Sequence, residues 1–142
     1  MARFEIVGLT DLRKEMEQEA IRAEKKVPEM LKAGAEVVSA VQKREAEEMI
    51  RSGKLRFPGN KSRSTGALVR SIKPTGVKGK GADAHIEIYP QGSDEKKTRN
   101  AEKGFLAEYG TKTMPSFPWM NLANEKASVE TTETMQEIWN KE

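Results

Sequence analysis

Few residues in this chain are of types that do chemistry. His85 is the only histidine and there is no cysteine, so disulfides and thiolate metal sites are excluded. A lone histidine without clustered carboxylates makes a poor metal site. No Ser-His-Asp or Cys-His arrangement can be assembled without His85, which falls on the polar face of a predicted strand and reads as exposed. Gly76, Gly79 and Gly81 do not open a helix and so do not form a phosphate loop. Glu108 has the chemistry of a general acid, but nothing pairs with it. Its expected role is a hydrogen bond to the turn at Gly110-Thr111, or a bridge to a basic residue of a neighbour. The residues point away from an enzyme, and no cofactor is implied.

The remaining chemistry is electrostatic. Residues 51–80 carry nine Lys and Arg and not one acid. Gly53, Pro58, Gly59, Asn60 and Ser62 mark the first part, 51–64, as a loop inserted in a single domain spanning 1–142. Lys54, Arg56, Lys61 and Arg63 are its candidates for contact with passing DNA or an acidic partner. Phe57 stands alone there, so the interleaved aromatics of a single-strand platform are missing. A solvated loop is the expectation, and a DNA-binding accessory module is the alternative. The net charge of +3 is too mild to favour nucleic acid by itself.

The elements around these residues are mostly helical. Arg3 to Val7 alternates as a short strand ended by Gly8, and Thr10 is a plausible N-cap for the helix that follows. From Asp11 to Arg51, apolar residues such as Leu12, Met16, Ala20, Ala23, Val27, Val38 and Met49 recur at three- and four-residue steps. A continuous helix there is about 60 Å long at ~1.5 Å per residue. Pro28 removes a backbone hydrogen bond at ~3 kcal/mol and predicts a kink or break near Lys26. Gly34 is a second weak point, or a place of close approach. With 33% charged residues and a mean hydropathy of −0.73, apolar side chains are scarce for a compact globule. An elongated shape or a core completed by neighbouring subunits is expected. For most of its length the stripe reads as an internal core face against a sheet, with a subunit-packing seam as the alternative and Val38 and Met49 as its candidate residues. No apolar run approaches a membrane span, so a cytosolic origin is expected.

Thr65 is positioned to cap a short helix over 66–71, with Leu68 and Ile72 facing inward. Residues 72–89 read as a hairpin around Gly79-Lys80-Gly81. Residues 91–100 are polar and read as a loop. Half of the chain's eight aromatics, Phe105, Tyr109, Phe117 and Trp119, lie between Gly104 and Met120, where a core is expected. Residues 105–109 fit either a strand or a helix. Gly110 supplies turn geometry, and Pro118 suits the start of a final helix carrying Trp119, Ala123, Ala127, Met135 and Ile138 on one side.

Two of these stretches carry a resemblance. Glu108-Tyr109-Gly110-Thr111 followed by Pro118-Trp119-Met120 resembles the signature of a bacteriophage tail-component family that includes tail-completion and head-to-tail joining proteins. Thr65-Gly66-Ala67-Leu68-Val69-Arg70-Ser71-Ile72 resembles that family's Thr-Gly-x-Leu-x-x-Ser-Ile element, in the expected order, over residues 10–127. The resemblance implies an α+β fold with a long N-terminal helix and a C-terminal helix on a small, mainly antiparallel sheet. It implies a structural virion protein forming a ring, a hexamer, at the head–tail neck or tail end. Its partners would be copies of itself, the tail tube protein and neck or head-closure proteins, with passing DNA contact and no membrane, after assembly in the host cytoplasm. Thr65, Gly66, Leu68, Glu108, Tyr109, Gly110, Thr111, Pro118 and Trp119 would then serve as architecture.

Overall fold

A computed structural model describes residues 7–52 and 66–141. Helix α1 (Leu9–Ser52) is followed by α2 (Ala67–Ser71), strand β1 (Ile72–Pro74), a 3-10 turn at Gly81–Asp83, strand β2 (Ile88–Pro90), α3 (Asn100–Tyr109) and α4 (Trp119–Asn140). The two strands pair antiparallel, Ile72 opposite Pro90 and Pro74 opposite Ile88. The fold is therefore the expected α+β arrangement, dominated by its two long helices.

α4 lies antiparallel along α1. Its first turns meet the last turns of α1, where Lys126 Nζ sits 2.6 Å from the buried Glu45 carboxylate. Its last turn meets Arg22 and Lys26, which donate to the Trp139 carbonyl at 2.6 and 3.1 Å. Cations on the terminal carbonyls of a helix satisfy both its unpaired acceptors and its dipole. These contacts also bear on the expected kink or break, of which the break is absent. α1 does not break near Lys26 but runs through Pro28 as one helix. Charged hydrogen bonds contribute ~1.5–3 kcal/mol each, and Arg22 and Lys26 make theirs just before Pro28. Just beyond it, Gly34 lets Met135 and Thr131 of α4 approach where a Cβ would stand. Both sides of the proline are thus fixed to one partner helix, which offsets the ~3 kcal/mol it costs.

The core has two parts. Ala46, Met49, Leu68, Ile72, Ala107 and Trp119 form one cluster, and Val41, Ala123 and Ala127 form a second, with Val38 packed against it. The hairpin is shorter as a ladder than its alternation suggests. Beyond the paired strands it continues through the Thr75–Glu87 bond and a single Lys78–His85 bridge. His85 Nδ1 lies 2.8 Å from the Asp83 carbonyl on an exposed edge. At the other end of the chain, α1 begins one residue before Thr10, with the Leu12 N–H bonded to the Gly8 carbonyl, so Thr10 is helical and not the cap. Val7 is in the turn ahead of it, and the rest of the expected 3–7 strand lies outside the described residues.

Candidate functional site

The stretch from Gly104 to Met120 is the joint between α3 and α4. Residues 105–109 are helical, which resolves the strand-or-helix ambiguity. Gly110 ends α3 at φ +76°, and a Cβ there would lie 2.8 Å from Ser116 N and 2.9 Å from the Met114 carbonyl. Thr111 closes the following turn, its N–H donating to the Met114 carbonyl and its Oγ1 accepting from the Met114 N–H at 3.0 Å. The chain then doubles back, and the Phe117 N–H donates to the Ala107 carbonyl at 2.8 Å. Pro118 precedes α4 and offers no side-chain cap.

Glu108 supplies that cap from across the joint. Its Oε2 accepts from the Met120 N–H at 2.8 Å and its Oε1 from the Asn121 N–H at 3.2 Å. The expected bond to the Gly110-Thr111 turn is therefore replaced by a cap on the next helix. A carboxylate gains there twice, from unpaired N–H donors and from the positive end of the helix dipole. Trp119, fully buried, donates from Nε1 to the Gly104 carbonyl at 3.2 Å. Glu108, Gly110, Thr111, Pro118 and Trp119 thus build one joint, each with a definite mechanical part.

Two outcomes follow for single substitutions here. Gly110→Val forces a branched side chain into left-handed backbone and against the Met114–Ser116 backbone, and is expected to cost about 1–3 kcal/mol. A melting curve matching the parent's would show that the turn does not need glycine. Glu108→Ala removes an acceptor of two N–H groups, at a cost of about 0.5–2 kcal/mol typical of lost caps. Chemical denaturation should register it, and Glu108→Gln should recover part of the loss, since its amide oxygen can still accept.

The second sequence element joins the same core. Gly66 stands ahead of α2 at φ +78°, Leu68 is buried, and Ser71 Oγ donates to the Leu68 carbonyl at 2.6 Å. Thr65 lies outside the described residues, as do Lys54, Arg56, Lys61 and Arg63. Leu68 and Trp119, one from each sequence element, meet across Gly104. A Cβ on Gly104 would stand 3.2 Å from Pro90 Cγ and from Trp119 Cζ2, and 3.7 Å from Leu68 Cδ1. Sequence reasoning missed Gly104, although a glycine inside a helical segment signals close approach. It also missed Asn100, buried at the start of α3 with its Nδ2 donating to the Gln91 carbonyl at 2.9 Å.

The core expected in the aromatic stretch forms there, but on two of the four aromatics. Trp119 is buried and Phe117 packs against its cluster, but Phe105 and Tyr109 are 61% and 70% exposed. Four residues apart on α3, they share one outer face, with ring centroids 4.7 Å apart. The joint's mechanics use the opposite face of α3, through Gly104 and Ala107. Tyr109 is therefore the one member of the Glu-Tyr-Gly-Thr element that the fold does not consume.

The candidate seam residues turn inward as well. Met49 is buried in the chain's own core and Val38 packs beside the Val41, Ala123 and Ala127 cluster, so at Met49 the apolar stripe is spent within the subunit. Its uncovered part lies at the other end of α1. Among the described residues no three of His, Cys, Asp and Glu converge as a metal site, and no helix is long and apolar enough to cross a membrane. Of the described basic run, Lys78 is held by Glu87 at 2.8 Å, and that bond keeps the Glu87 carboxyl below its usual range.

Residues 10–110 match the model of the HK97-gp10-like family, whose members are assigned as bacteriophage tail components. The match takes in α1, the Thr65–Ile72 element and the chain through Gly110, and stops short of Pro118-Trp119. No curated protein and no solved structure matches the chain.

Proposed function

Because the chain belongs to the HK97-gp10-like family of bacteriophage tail components, we propose that it is a joining subunit. Copies assemble as a closed ring, a hexamer, at the tail end or head–tail neck, against the tail tube and the neck or head-closure proteins. The observation that supports this reading is the uncovered start of α1. α4 ends opposite Arg22, so residues 9–21 extend about 20 Å beyond it at ~1.5 Å per residue. Leu9, Leu12, Met16 and Ile21 on that extension are each more than half exposed. A chain with a mean hydropathy of −0.73 that leaves such residues in water is shaped for a neighbour.

The experiment is reconstitution. Tails made without this protein should fail to join DNA-filled heads, and the purified protein should restore joining. The DNA-binding alternative is tested on bare duplex DNA across a salt series, where use of Lys54, Arg56, Lys61 and Arg63 gives a steep slope. A protein that ignores tails and heads yet binds duplex tightly at physiological salt would sink the joining reading.

A further inference from the structure

The molecule carries two apolar patches that no described residue covers, and they differ in shape. One is a ridge on the outer face of α3, where Phe105 and Tyr109 stand out, with Leu106 and Tyr89 each 38% exposed. There Tyr89, Phe105 and Tyr109 wall a cleft of about 380 Å³ toward Met120 and Asn124 of α4. The other is a recess of about 750 Å³ between α1 and the hairpin tip, floored by Ala20, Ala23, Val27 and Pro28 and walled by Val77 and Ala82. The floor continues along α1, because Leu12, Met16, Ala20, Ala23 and Val27 follow each other at steps of four, four, three and four residues. The recess thus opens onto the exposed Leu12–Met16 strip of the extension.

The patches lie at opposite ends of a long molecule. The ridge belongs to the Trp119 end, packed near Met49, while the recess is centred on Ala23. That separation is roughly 40 Å along α1 at ~1.5 Å per residue, so one subunit cannot close its own ridge into its own recess. A two-fold contact that pairs ridge with recess buries both patches but stops at two copies. A head-to-tail contact buries both at once, and repetition of it closes a ring.

We propose that the Phe105–Tyr109 ridge of one subunit seats in the α1–hairpin recess of a second copy of this chain. This names the contact for the ring proposed above and rests on that reading. The sizes agree. An aromatic side chain buries ~150–250 Å² in full, so the two rings with Tyr89 and Leu106 bring roughly half of the ~800 Å² that each partner gives a standard interface. That is close to the ~56–58% apolar share of such surfaces. The contact also gives Tyr109 the task that the joint leaves it without.

The chain has no cysteine, so introduced thiols report alone. Two single variants, Ala20→Cys and Glu102→Cys, lie at exposed positions beside the two patches and leave Phe105 and Tyr109 in place. Mixed in equal amounts and treated with a short bismaleimide, at high concentration in solution and again on tails, they should give a covalent heterodimer. The double variant should give a ladder of higher products. Only like-to-like products, or none in either setting, would overturn the contact, and a double variant that stops at a cross-linked dimer would overturn it as the contact of a ring. A chain whose own segments cover either patch gives no intermolecular product and counts against it equally. If the contact fails while unaltered protein still restores head joining, the joining reading stands. If joining is not restored, that reading falls, and the solution cross-links still decide the contact.

Discussion

Trp119→Ala is expected to lose about 3–5 kcal/mol, the range for truncating a large buried aromatic. Trp119 is fully buried in the cluster that gathers Ala46 and Met49 from α1, Leu68 from α2, Ile72 from β1 and Ala107 from α3. Its removal leaves a cavity where five elements meet, so closing it requires all five to shift. It also strands the Gly104 carbonyl, whose partner is the indole N–H. An orphaned buried acceptor adds ~1–3 kcal/mol to such a change. Trp119→Phe keeps most of the volume and loses the bond, so it should fall between the parent and the Ala variant. Urea unfolding of the three proteins orders them, and a loss under about 1 kcal/mol for Trp119→Ala would remove the joint from the centre of the fold.

Leu12→Asp and Met16→Asp should have the opposite profile. Both side chains are more than half exposed on the extension of α1, where surface substitutions move stability by less than about 0.5 kcal/mol. Their effect is expected on assembly, because a carboxylate desolvated in an apolar contact has no partner there. Thermal melts should be unchanged while restoration of head joining is lost. Normal joining by both variants would show that the extension does not touch a neighbour. Met49→Asp, by contrast, places a charge in the chain's own core, so its failure would report unfolding and say nothing of a seam.

The sequence showed more of the joint than of the surface. Leu68, Trp119 and the glycine at 110 were readable because buried apolar bulk and positive-φ turns limit residue type strongly. Glu108 was readable only in part. A helix opening on a proline leaves its first N–H groups without a side-chain cap, which calls for an acceptor from elsewhere, but not from a particular residue. Pro28 signals a possible break because its local cost is fixed, while the compensation that keeps α1 unbroken comes from Trp139 and Met135, over a hundred positions away. Phe105 and Tyr109 were readable only in part, for a related reason. Composition marks aromatics as core formers, but only the packing of Gly104 and Ala107 decides which face of α3 turns inward. The same holds for α1, whose uniform stripe gives no sign that α4 covers Met49 and stops short of Met16.

The central claim is that this tail component works as a ring in which the uncovered start of α1 meets the next subunit. Electron microscopy of tails loaded with the protein tests it most directly. The account predicts a closed ring at one end of the tail only, a fixed small number of copies, and residues 9–21 of each α1 buried against the neighbouring copy. Scattered single copies along the tube, or a ring in which that segment faces solvent, would contradict it.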